Sequence, residues 1–146
     1  MSLQTRKNVK SNGHSSLPIE IRDNQKVDSS ISWIVSHLQK GVKPDWCDVS
    51  DKNLDTRSLY NQWESLKLIN SFLYRKCLVD GKDIEPLVVP ESHRLVVLEY
   101  LHGKNVHVGI SRTAQLCKAR FYWPRWREDL KKYFKLYCLQ TSYCTI

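Results

Sequence analysis

Two histidines, His102 and His107, stand with four residues between them; after thirty intervening residues comes Cys138, and six positions beyond it Cys144. Imidazole and thiolate are the ligands that Zn²⁺ prefers, and four of them close a tetrahedral site whose binding free energy becomes folding free energy. The order, His-His before Cys-Cys, is the reverse of a two-Cys, two-His finger. The run HGKNVH also lacks the Glu that follows the first His in a metalloprotease helix. The chemistry in view is therefore one structural zinc, with no residue assigned to catalysis. A plainer reading competes with it: paired histidines arise by chance, and a Cys beside an apolar stripe is more often a core filler than a ligand. The common location of all four near helix ends favours the metal.

The elements that must position these residues are helical. Leu95, Leu98 and His102 recur at intervals of three and four, from a Ser92 cap to a stop at Gly103. Ser111 can cap a second helix with Ile110, Ala114, Cys117 and Phe121 on one stripe, broken at Pro124. Pro124 suits the first turn of a third helix, with Trp126, Leu130, Tyr133 or Phe134, and Tyr137 inward and Cys138 at its end. Three helices this short bury little surface alone, so a zinc staple between the first and the third has a physical role.

Upstream, Ile31, Ile34, Val35 and Leu38 predict a helix over 29–40 that ends at Gly41 and Pro44. Asp55 can cap another, with Leu59, Trp63 and Leu66 on its stripe. The segment LKLINSFLYRKCLVDGKDIEPLVVP is rich in strand formers, and its Asp80-Gly81 pair suits a tight hairpin turn. Pro86 belongs at an edge. Residues 1–28 are poor in apolar runs and rich in Ser, Asn, Lys and Gln, and are expected to be a disordered lead-in. The fold class expected is thus mainly α with a small antiparallel β element. Residues 29–89 form a strand-and-helix extension, and residues 90–146 a three-helix, zinc-stapled bundle.

Charge points to a partner. The net charge is +8, and residues 90–146 carry ten Lys or Arg against four acids, whereas 29–89 balance. Lys118, Arg120, Arg125, Arg127, Lys131, Lys132 and Lys135 crowd the second and third helices and their turn, the arrangement that lies against phosphates. The alternative is a merely solvated face, diluted by Glu128 and Asp129. Trp126 is expected in the core rather than stacked on bases. Five scattered cysteines fit reduced thiols of an intracellular protein, and no run is long and apolar enough to span a membrane. No small-molecule substrate is implied.

The run from LVVPESHRLVVLEYLHGKNVHVGISRT to FYWPRWREDLKKYFKLYC resembles the zinc-binding N-terminal domain of integrases from retroviruses and gypsy-class long-terminal-repeat retrotransposons. Upstream, LINSFLYRKCLVDG is similar to the LYR and DG strand segment that precedes this domain in gypsy-class polyproteins. The resemblance implies that His102, His107 and Cys138 are zinc ligands, that nucleic acid, DNA more than RNA, is a partner, and that the chain self-associates. The implied partner suggests a nuclear address. The sequence departs from the family at one ligand: Thr141 stands where a Cys-x-x-Cys pair would place its second Cys, and Cys144 is offered in its place. Integrases follow this domain with a ribonuclease H-like core whose carboxylates hold the catalytic metals. The 146 residues leave no room for such a core, so strand transfer is not expected of them. The reading that follows is a non-catalytic zinc-binding module that contacts nucleic acid. The alternatives are a protein-interaction remnant whose zinc site has decayed, and a piece of a transposon polyprotein with no role of its own.

Overall fold

A computed structural model describes residues 13–104 and 109–141, with side chains at 17–103 and 109–137. Helix α1 (Gly13–Gln25) leads into α2 (Ser29–Lys40), α3 (Trp46–Val49) and α4 (Leu54–Asn61). Strands β1 (Leu66–Ile69), β2 (Phe72–Arg75), β3 (Cys77–Val79), β4 (Lys82–Ile84) and β5 (Leu87–Val88) follow. Helices α5 (Arg94–Lys104) and α6 (Ile110–Arg120), strand β6 (Phe121–Tyr122) and helix α7 (Trp126–Thr141) complete the described chain.

Local chemistry explains most boundaries. The Asp28 side chain accepts from Ile31 N–H and caps α2, and Gly41 closes it in the left-handed region at φ 72°. The expected cap of the next helix shifts by two residues. Asn53, not Asp55, accepts from Thr56 N–H, and α4 stops at Asn61, which leaves Leu66 to begin β1 rather than extend a helical stripe. Asp80 and Gly81 at φ 51° and 77° make the β3–β4 turn as expected. The β1–β2 turn is of the same two-residue kind, with Asn70 and Ser71 both at positive φ.

The larger sheet has the order β1-β2-β5-β6. It is antiparallel except at its last step, where β5 and β6 run parallel with Leu87 opposite Phe121 and Val88 opposite Tyr122. The β element is therefore mixed rather than wholly antiparallel. The reason is that α5 and α6 lie between the two strands and supply the long crossover that a parallel pair needs and a hairpin does not provide.

Residues 13–25, expected to belong to the lead-in, form α1 instead. Leu17 and Ile21, four apart, are buried in the core, and Gln25 is buried one turn further. Its side-chain amide donates to the carbonyls of Leu73 (3.0 Å) and Val88 (2.7 Å) and accepts from Leu73 N–H at 2.8 Å. It thus bridges β2 and β5 where their own ladder has a single residue pair, Tyr74 with Leu87. Residues 1–12 lie outside the described residues.

One apolar core runs through both halves, from Ile21 and Ile34 through Leu73 and Val88 to Trp123 and Leu130. Consequently the helices α5 to α7 do not stand alone. Their hydrophobic faces close against the sheet, which supplies part of the burial that the isolated helices lack. Among the described residues no helix is long and apolar enough to cross a membrane.

Candidate metal centre and cationic surface

His102 lies in the last turns of α5 and is 7% exposed. The buried stripe of that helix is Val97, Leu98, Leu101 and His102, while Leu95, expected inside, is exposed. The imidazole meets α7 edge-on: its ring centroid is 4.9 Å from Phe134, 5.7 Å from Tyr133 and 4.3 Å from Tyr137. Burial lowers its pKa below 6.5 and so favours the neutral imidazole, the form that binds a metal. Burial first, then Glu99 and Tyr137, raises the Tyr133 phenol, which stays protonated.

The remaining ligand candidates are placed less fully. Cys138 belongs to the C-terminal part of α7, one position after Tyr137, and its side chain is outside the description. His107 and Cys144 both lie outside the described residues. Among the described residues no three His, Cys, Asp or Glu groups are gathered as a metal site. What the structure does show fits a zinc ligand at His102: a buried imidazole, its pKa lowered by that burial, packed against the helix that carries Cys138.

The other cysteines differ. Cys117 is buried on α6, and burial, only partly opposed by Arg127, pushes its thiol up to about 12, so it remains a protonated core filler. Cys47 is exposed and Cys77 half-buried, both as free thiols.

All seven candidate nucleic-acid contacts, Lys118, Arg120, Arg125, Arg127, Lys131, Lys132 and Lys135, have exposed side chains. Arg127, Lys131 and Lys135 follow at intervals of four along α7, a stripe of about 12 Å at 1.5 Å per residue. Arg125 is engaged elsewhere. Its guanidinium lies 3.3 Å from Asp55, whose other oxygen accepts from Arg94 at 2.7 Å, so one carboxylate ties α4 to the start of α5 and to the turn before α7. Trp123 is fully buried and its indole N–H donates to Asp129 at 2.8 Å, which removes it from any base-stacking role. Trp126 is buried as expected.

One cation from the charge-balanced segment belongs to the same surface. Arg75, on β2, lies with its guanidinium 4.5 Å over the Tyr122 ring, and its Nε donates to Gln62. Gln62 in turn donates to the Tyr122 hydroxyl. Arg75 sits in a segment of balanced charge, so only the register of β2 beside β5 and β6 brings it to the α6–α7 face.

No curated protein and no solved structure matches the chain. Residues 89–139, from the end of β5 to the last turn of α7, match the family of the integrase zinc binding domain.

Proposed function

We propose that this protein is a non-catalytic zinc-binding module of the integrase type, from a gypsy-class retrotransposon lineage, that contacts nucleic acid through α6 and α7 and self-associates. The observation that carries the reading is His102: within the segment that matches the integrase zinc binding domain, it is a buried imidazole packed against the helix of Cys138. His102, His107 and Cys138 would hold one zinc, with Cys144 as the fourth ligand. The metal supplies a cross-link between α5 and α7 and no reaction. The exposed stripe of Arg127, Lys131 and Lys135 supports contact with phosphates, DNA being the preferred partner.

Zinc per chain on purified protein tests the metal, with His107→Ala and Cys144→Ser alongside. One zinc in the native protein, lost in both variants, is the expected result. Absence of zinc in the native protein would transfer the case to the alternative, a docking remnant with a decayed site. Contact with nucleic acid is tested by affinity for duplex DNA, expected to fall at least about tenfold between low and physiological salt as counterions are released. A flat salt response contradicts it.

A further inference from the structure

A cleft of about 280 Å³ opens where the β3–β4 hairpin faces the junction of α6 and α7. Three cations line it, Arg75, Lys118 and Arg127, with Leu78 and Val79 of the hairpin and the aromatic floor of Tyr122 and Trp126. None of its lining residues is an acid. Both guanidinium groups are backed by rings: Arg75 lies 4.5 Å over Tyr122, and Arg127 lies 4.6 Å over Trp126. The first is further held by Gln62, which bonds Arg75 and Tyr122 together. Its Nη groups make no hydrogen bond to a described residue.

The geometry points to a slot for one unpaired nucleotide of a nucleic-acid strand, the base against the ring-backed guanidinium planes and Leu78, the phosphate on Lys118 and Arg127. This rests on the nucleic-acid reading above and specifies what that surface holds. Arginine packs on aromatic faces and donates from the edges of its guanidinium, so a group seated within about 5 Å of a ring centroid suits a base and a phosphate together. Stacking of this kind tolerates any base, so the slot selects unpaired over paired nucleotides rather than a sequence. The volume is near the lower end of small-ligand sites, roughly 300 Å³, which limits the slot to a single unit. Leu78, 68% exposed at the mouth, is an apolar wall that a duplex phosphate backbone would have no use for. From Arg127 the stripe of Lys131 and Lys135 continues along α7, so phosphates of the neighbouring nucleotides have a cationic path leading away from the cleft.

The test is fluorescence anisotropy of the full chain with a labelled oligothymidine of fifteen nucleotides and with a blunt duplex of the same length, at low salt. Arg75→Gln and Leu78→Asp alter the slot, and Lys135→Gln alters the stripe. Leu78 is exposed, so its variant keeps the fold if Arg75→Gln does not, and thermal midpoints check both. The expected result is single-strand binding at least tenfold tighter than duplex binding. Arg75→Gln and Leu78→Asp should abolish that preference, whereas Lys135→Gln weakens both ligands equally. Equal binding of both ligands, or a preference unmoved by the slot variants, overturns the slot while the nucleic-acid reading stands. Binding of neither ligand at low salt overturns both.

Discussion

At one end of α5, α6 and α7 the chain is bonded into the sheet; at the other, where α5 ends and α7 finishes, one imidazole packs among three aromatic rings. The sheet end has the parallel β5–β6 pair, Val89 N–H donating to the Tyr122 carbonyl at 2.8 Å, the Asp55 link to Arg94, and a fully buried Trp123. The far end has His102 against Tyr133, Phe134 and Tyr137. The difference assigns separate duties. Burial and backbone hydrogen bonds organise the sheet end, so the proposed zinc, with His102 as its one described candidate ligand, would act on the far end.

The sheet end should be the more costly to damage. Trp123→Ala removes a fully buried indole and leaves Asp129 without its donor, and is expected to cost about 3–5 kcal/mol in a denaturant titration. Loss of that size should appear with zinc present or removed; a cost that vanishes on chelation would merge the two ends into one. Gln25→Leu comes next, at roughly 2–3 kcal/mol, because the Leu73 amide and carbonyl and the Val88 carbonyl lose buried partners. The same titration checks it, and a neutral outcome would mean that α1 does not fasten the strands.

The smallest effect belongs to the far end and to pH. The His102 pKa is lowered in the fold, so the unfolded chain binds the more protons once pH falls below the unfolded value of about 6.5. The stability from the neutral imidazole is thus fully present above that value and is lost as pH falls through the folded one. In metal-free protein, His102→Phe, which suits the ring cluster and cannot titrate, should flatten this part of the pH profile between 7.5 and 5.5. Superimposable profiles would show that the imidazole is not held neutral.

What was legible in the sequence was whatever a short motif encodes. Gly41 ended α2, Asp80-Gly81 turned the hairpin, and the spacing of Leu98, His102, Cys117, Leu130 and Phe134 placed three helices and their inner faces. Elements held by distant partners were not. Helix α1 contributes only Leu17 and Ile21 as apolar core, and its third anchor is a glutamine whose partners lie some fifty and sixty residues away. Strands β5 and β6 have two residues each, too few for any alternation to register. Asn53 and Asp55 are both able to cap a helix, and only the positions of Arg94 and Arg125 explain why the aspartate has another task. At the candidate site, sequence pointed to His102 directly, while Arg75 and Gln62 depended on a strand register that no local pattern specifies.

Hydrogen exchange on the folded protein, with and without a chelator, measures the two ends side by side. The account predicts that chelation raises exchange over residues 98–104 and 130–141 while β2, β5, β6 and the Trp123 region keep their protection. Unchanged exchange throughout would contradict a metal at the far end, and loss of protection across the sheet as well would contradict the claim that the sheet end stands without it.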